Sequence, residues 1–191
     1  MADAPTKQQL IEALRANGVH AVEKLRALPD AAFEPGRYEN GWNGRQILAH
    51  VASIEWTYRK LIDVAKQTPA GAAPPPPSKP VASGGVRRTS VEESGGLPTA
   101  AAQGGIDSYN ERQVEKRAGA SIAELIDEFE RNRAGTIAAV EAADEALLRT
   151  SIRSAGGMTG ELAGVIQAVA VGHVQMHVAD ITGEEWTGPR F

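Results

Sequence analysis

The sequence predicts an all-α protein, a four-helix bundle with a long Pro/Gly-rich connection between its second and third helices. Four segments carry apolar residues three and four positions apart, the spacing of a single helix face. Proline or glycine follows most of these segments, and no stretch alternates between apolar and polar residues as a half-buried strand does. Amphipathic helices without strands bury their apolar faces against one another, so a bundle is the expected architecture.

The first predicted helix runs from about residue 6 to residue 28 and ends at Pro29. The second begins after Asn43, a typical N-cap residue, and ends near Gln67. Its inward face carries a histidine where a core leucine would be expected. That face comprises Ile47, His50, Val51, Ile54, Tyr58, Leu61 and Ile62.

The connection that follows, residues 68–104, contains the run Pro74 to Pro77 and loses all apolar periodicity. Connections of this length are uncommon in compact domains, so we expect either a lid over one end of the bundle or a disordered surface excursion.

The last two helices are predicted from their caps. Ser121 and Glu124 form the capping-box pattern at the start of the third helix, which should run to about residue 148. Thr159 is the predicted cap of the fourth helix, which should end at Thr182 because Gly183 is a typical C-terminal stop.

Composition restricts the class of protein. A chain of 191 residues with 42% hydrophobic residues fits a single domain spanning 1–191. The net charge of -4, without a basic cluster, argues against nucleic-acid binding. We find no run of about 18 apolar residues and no signal-peptide pattern, so we expect no membrane span and a cytoplasmic location. The absence of cysteine excludes disulfides, thiolate metal sites and a cysteine nucleophile, so any thiol chemistry needs a small-molecule thiol.

Two of the four histidines, His173 and His177, lie one turn apart in the fourth helix. The apolar stripe of that helix, continued in steps of three and four, reaches both of them, so both should point into the bundle. Buried imidazoles need a partner, and two on one face can hold the same metal ion. The alternative for each is a hydrogen-bonded core histidine without a metal.

His50 supplies the third inward imidazole, and together the three histidines predict a divalent-metal site that leaves positions for water or substrate. Asp180, three residues after His177, is placed to orient a ligand ring by hydrogen bonding. The alternatives are a solvated carboxylate at the helix end and, less favoured, a fourth metal ligand. His20 lies roughly 100° from the apolar stripe of the first helix and is excluded from the site.

Two other motif interpretations are weaker. The zinc-protease pattern His-Glu-x-x-His needs a glutamate after the first histidine, and Val174 stands there. A serine-hydrolase triad would need a Gly-x-Ser-x-Gly elbow, which the sequence lacks.

These motifs resemble the DinB-like family, also called the DinB/YfiT-like metalloenzymes. The segment from Trp42 to His50 is similar to the Trp-polar-x-x-x-Ile/Leu-Leu-x-His pattern that opens the family's second helix. His173-Val174-Gln175-Met176-His177 is similar to its fourth-helix pair, and Tyr109 through Ile126 to its third-helix entry.

The resemblance implies one zinc or nickel ion held by three histidines, and a homodimer. Some relatives transfer low-molecular-weight thiols such as bacillithiol, mycothiol or glutathione to electrophiles, and one branch isomerises maleylpyruvate with mycothiol. That branch tends to carry Glu-x-x-x-His on its last helix, whereas this chain has His173 in the glutamate position.

The leading hypothesis is therefore a metal-dependent thiol S-transferase that acts on a small molecule, with no nucleic-acid or membrane partner. Tyr58, Arg59 and Arg45 are the candidate substrate-binding residues. The alternatives are a non-catalytic metal-binding or interaction module and a mycothiol-dependent isomerase-like enzyme.

Overall fold

The computed structural model describes residues 4–37, 41–68, 105–154 and 156–190. In chain order its elements are α1 (Lys7–Arg26), a 3-10 turn (Asp30–Phe33), α2 (Gly44–Gln67), α3 (Gly105–Glu115), α4 (Ile122–Ala142), α5 (Glu145–Leu148), β1 (Ser151–Arg153), β2 (Thr159–Glu161), α6 (Leu162–Ile166), a π-helical turn (Gln167–Gly172) and α7 (His173–Thr182). The predicted Pro/Gly-rich connection, residues 68–104, lies outside the described residues except for Thr68.

The bundle consists of α1, α2, α4 and the C-terminal helix, which is the continuous stretch from α6 through the π-helical turn to α7. Both α1 and α2 pack against α4 and against the C-terminal helix. This arrangement places α1 and α2 at diagonally opposite corners. Because α2 is a direct neighbour of the C-terminal helix, His50 on the former faces His173 and His177 on the latter.

The core contains two apolar clusters with a polar layer between them. One cluster surrounds Leu14, Tyr58 and Ile166, and the other surrounds Phe33, Leu48 and Val178. Each of the four bundle helices contributes to both clusters and carries polar side chains between them. The buried polar residues of this layer are Asn17, His50, Ser53, Glu55, Arg133, Thr136 and His177.

Several predicted helix boundaries are confirmed. Asn43 and Ser121 each cap a helix with a reciprocal capping box, in which the side chain of the third helical residue also accepts a hydrogen bond from the cap backbone. Gly183 ends α7 with φ of 76°, a left-handed conformation that glycine adopts without steric cost.

The end of the third helix and the start of the fourth differ from the sequence prediction. The third helix ends at Ala142, and the short α5 follows it. Thr159 does not cap the fourth helix but begins β2, which pairs antiparallel with β1 in a small hairpin. Each strand has only three residues, too few for an alternating pattern to be visible in the sequence.

The fourth helix is also less regular than predicted, since the π-helical turn widens its middle just before His173. Among the described residues there is one helix, Leu162–Thr182, that is long enough and apolar enough to span a membrane, by length and composition only. It meets this criterion although Gln167, His173 and Gln175 interrupt its apolar residues, so it is not the unbroken apolar run that the sequence analysis expected to be absent. However, 61% of that window is buried, as in the core helix of a bundle, so the helix is not a membrane span.

Candidate metal centre

The three predicted ligand residues meet in the polar layer of the bundle. One ring nitrogen from each of His50, His173 and His177 lies within 4.8 Å of the other two. His50 and His177 are buried, and His173 is half-buried. His20, which the sequence analysis excluded, is exposed on α1.

The two histidines of the C-terminal helix, His173 and His177, lie within hydrogen-bond distance of each other. Nε2 of His177 lies 2.9 Å from Nε2 of His173, a hydrogen-bond distance that requires a proton on one of the two nitrogens. Nitrogens that share a tetrahedral zinc ion would be roughly 3.3 Å apart, because each Zn–N bond is about 2.05 Å. A metal ion can therefore replace this shared proton after a small displacement of the rings.

The outer nitrogens of the same two rings have partners of their own. Nδ1 of His173 lies 3.2 Å from the Tyr58 hydroxyl, and Nδ1 of His177 lies 3.5 Å from Oδ2 of Asp180. The second Asp180 oxygen lies 3.3 Å from a guanidinium nitrogen of Arg190. With a metal ion in place of the shared proton, protons on both Nδ1 atoms would leave both Nε2 lone pairs free for coordination.

His50 provides the clearest indication of a missing ligand. Its Nδ1 atom is fully enclosed and has no hydrogen-bond partner among the described residues. The Trp42 ring packs against the imidazole with centroids 5.3 Å apart, and the rings of His173 and His177 meet it edge-on. A buried nitrogen without a hydrogen bond is costly, and a metal ion in the centre of the cluster fits these residues.

The electrostatics favour neutral imidazoles. Burial, with repulsion from His177 and His173, holds the pKa of His50 well below its usual value. Burial, reinforced by His177 and opposed by Asp180, lowers the pKa of His173 to about 3. Neutral imidazole is the form that binds metal, so the environment prepares both side chains for coordination.

A cavity of about 560 Å³ opens beside the centre, and His50 and His173 both line it. Its apolar wall residues include Ile54, Leu61 and Val169, and its polar ones include Asp107 and Asn110. Tyr58 also lines the cavity, so this predicted substrate contact lies next to the histidines.

The other two candidate substrate contacts lie elsewhere. Arg59 is exposed and sits over Trp56, with its guanidinium carbon 5.9 Å from the ring centroid. Arg45 donates a hydrogen bond to the carbonyl of Ala120 and does not line this cavity. Their charge and helix position suggested a site role, but the sequence could not show that they point away from the cavity.

Sequence reasoning did not identify the ion pair of Glu55 and Arg133, which lies in the same polar layer. Its signal was a charged residue at a helical step within an apolar stripe, for example Arg133 four positions after Phe129. It also did not identify Asn110 and Ser154 on the cavity wall, because both belong to elements that reach the site only through the tertiary fold.

A comparison with solved structures finds a protein of similar fold. The crystal structure of the mycothiol-dependent maleylpyruvate isomerase superposes with a TM-score of 0.65 at 15% sequence identity. The alignment covers 93% of this chain but only 61% of that one, so this chain spans about three-fifths of the length of that protein. No curated protein gives a significant sequence match.

The family comparison covers most of the chain. The model that describes the DinB superfamily matches residues 10–181, a range that contains most of α1, the three clustered histidines and nearly all of the C-terminal helix. The chain therefore belongs to the DinB superfamily.

Proposed function

We propose that this protein is a metal-dependent enzyme that transfers a low-molecular-weight thiol to an electrophilic small molecule. In the overall reaction, the thiol sulfur forms a bond to an electrophilic carbon, and the thiol proton departs with the leaving group. The observation that carries the proposal is the meeting of three imidazoles, two of which line a cavity of about 560 Å³. A purely structural metal site is usually closed by a fourth protein ligand and does not need such a cavity.

His50, His173 and His177 would hold one divalent ion, with zinc or nickel expected from the family resemblance. A divalent metal lowers the pKa of a bound thiol, so that the thiol loses its proton near neutral pH. The chain has no cysteine to compete for the ion.

In this proposal Tyr58 has two roles, because it orients His173 and also donates a hydrogen bond into the cavity. When Nδ1 of His173 carries a proton, the Tyr58 oxygen accepts it in a hydrogen bond, and the hydroxyl proton can point into the cavity. Burial raises the pKa of Tyr58 well above its usual value, with the charge of Glu55 acting in the same direction. The hydroxyl therefore stays protonated and can donate a hydrogen bond to the substrate or to the leaving group.

A small-molecule substrate, a cytoplasmic location and a homodimer form part of the same proposal, on the strength of the family resemblance. The net charge of -4 supports the expectation that nucleic acid is not a partner.

The structural similarity to a mycothiol-dependent maleylpyruvate isomerase favours one alternative, a thiol-dependent isomerase. Against it stands His173, which occupies the position where that branch tends to carry glutamate. The other alternative is a non-catalytic module in which the ion only ties α2 to the C-terminal helix.

The test combines metal analysis with an activity screen. Purified protein should contain about one zinc or nickel ion per chain, and the loaded protein should accelerate the reaction of bacillithiol, mycothiol or glutathione with alkylating electrophiles. Maleylpyruvate with mycothiol forms a parallel arm. Turnover in that arm alone would favour the isomerase, and bound metal without turnover in any arm would favour the non-catalytic module.

A further inference from the structure

Arg153 is a buried cation without a counter-ion among the residues that the structure describes. The residue is 8% exposed, its Nε atom is fully enclosed without a hydrogen-bond partner, and no carboxylate among the described residues lies within ion-pair distance. A second buried arginine, Arg133, is paired with Glu55. A buried guanidinium without a partner destabilises a fold. We therefore look for a partner of Arg153 outside the described residues.

The guanidinium lies behind one wall of the cavity beside the histidines. Nη2 of Arg153 is 3.5 Å from the position that a Cβ atom would take on Gly157, and Gly157 lines that cavity. The φ of Gly157 is +88°, so glycine is favoured there and no side chain stands between the guanidinium and the wall. The turn is held by a 2.8 Å hydrogen bond from the Ser154 backbone N–H to the Met158 carbonyl.

The remaining charges around the cavity do not neutralise this one. Arg190 lines the cavity but is 61% exposed in its side chain and is paired with Asp180. Asp107 is an exposed wall residue and would oppose the entry of a second negative charge. One buried cation and an opposing carboxylate suit a monoanion better than a phosphate dianion.

The other walls indicate the rest of the ligand. Apolar side chains dominate them, contributed by α2, α3, the hairpin turn and the C-terminal helix. These side chains are Ile54, Leu61, Ile106, Met158 and Val169. A ligand that buries its carbon skeleton against such walls and pairs one carboxylate with a guanidinium would satisfy both features.

We propose that Arg153 binds the carboxylate of a small, otherwise apolar molecule that occupies the cavity beside His50 and His173. The identification of this molecule as the electrophilic substrate rests on the proposed function, whereas the binding itself does not. Arg153 would then set specificity for the charged end of the substrate.

Hexanoate and its neutral analogue hexanamide are suitable probes, because they differ in charge and little in shape. We would titrate each into the ¹⁵N-labelled full chain and follow the backbone amides of Gly156 and Gly157. The expected result is saturable binding of hexanoate at least 10-fold tighter than that of hexanamide. Equal binding of the two probes to the native protein would overturn the proposal.

The variant Arg153→Met should remove the preference for hexanoate, and Arg190→Met serves as the matched control that should keep it. Because the methionine removes an unpaired buried charge, the Tm of Arg153→Met should equal or exceed that of the native protein. Should this variant fail to fold, Arg153→Gln provides the same comparison. A preference for hexanoate that survives the loss of the guanidinium would contradict the proposal.

Metal content separates this proposal from the proposed function. Arg153→Met should bind the same amount of zinc as the native protein, since no histidine is changed. A native chain that binds zinc but shows no preference for hexanoate would refute only the carboxylate site. A chain that prefers hexanoate through Arg153 but binds no metal would refute only the metal-dependent enzyme.

Discussion

The guanidinium of Arg133 donates two hydrogen bonds to the carboxylate of Glu55, at 2.8 and 3.0 Å, in the centre of the bundle. The same guanidinium donates to the carbonyl of Leu14 on α1 and, at 2.5 Å, to the carbonyl of Ala170 in the π-helical turn. One buried side chain on α4 thus contacts each of the other three bundle helices. Gly18 leaves room for it, since a Cβ atom there would lie 3.2 Å from Cγ of Arg133.

This connection leads to a stability prediction. Arg133→Met should lower the free energy of unfolding by about 3–5 kcal/mol, because Glu55 is left buried without its partner. Arg133→Met/Glu55→Leu should recover a large part of that loss, since no uncompensated charge remains. Urea unfolding at pH 7.5 measures both changes.

The surface pair Arg15 and Glu141 provides the control. Their side chains are 62% and 43% exposed, so Arg15→Met should cost less than about 1 kcal/mol. A loss of that small size in Arg133→Met would show that the buried pair does not hold the four helices together.

A second prediction concerns the ligand set. Substitution of His50, His173 or His177 by alanine should each lower zinc affinity by more than about 100-fold, since one of three ligands is lost. His20→Ala should leave the affinity unchanged, because His20 is exposed on α1. Competition with a chromophoric chelator measures all four variants. Equal losses in His20→Ala and His173→Ala would rule out the proposed centre.

The sequence was sufficient to predict these residues because helical periodicity is local. A spacing of four positions places His173 and His177 on one face in any regular helix, and the stripe on α2 places His50 inward in the same way. The four bundle helices, with the caps at Asn43, Ser121 and Gly183, followed from equally local signals. The π-helical turn lies before His173 and therefore leaves the relation between His173 and His177 unchanged.

The cavity could not be predicted, because it depends on contacts between residues that are distant in the sequence. Its walls come from α2, α3, the turn of the β1–β2 hairpin and the C-terminal helix, which only the tertiary fold brings together. Arg153 illustrates this, because its burial without a partner in the described part of the chain appears only when β1 pairs with β2 over three residues. Arg45 and Arg59 are predicted substrate contacts that do not line the cavity. Their charge and their position on α2 did not show which surface they face.

A third prediction concerns Asp180, whose two oxygens face different partners. Asp180→Asn should lower zinc affinity by about 10- to 100-fold, because the His177 ring loses the carboxylate that favours a proton on Nδ1. Arg190→Met removes only the contact with the other oxygen and should change the affinity less than 3-fold. If both variants lose affinity equally, the contribution of Asp180 lies in holding the C-terminal tail through Arg190.

The final prediction is the pH dependence of the metal-free protein. The pKa of His173 is about 3 in the folded chain and that of His50 is also lowered, whereas both should be near 6.5 in the unfolded chain. Below pH of about 6.5 the unfolded state therefore binds protons that the folded state does not, and stability falls as the pH falls. At pH 5.5 each of these histidines should cost about 1.4 kcal/mol relative to pH 7.5.

Urea unfolding in the presence of a chelator, at pH 7.5 and at pH 5.5, measures this difference. His50→Leu/His173→Leu should reduce it, because the two groups that remain neutral in the folded state are gone, whereas His20→Gln should leave it unchanged. Saturating zinc should add stability at pH 7.5 and less at pH 5.5, since protons compete with the ion for the imidazoles. A metal-free protein equally stable at both pH values would show that these rings are accessible to protons in the folded state. The desolvated environment that prepares them for coordination would then be absent.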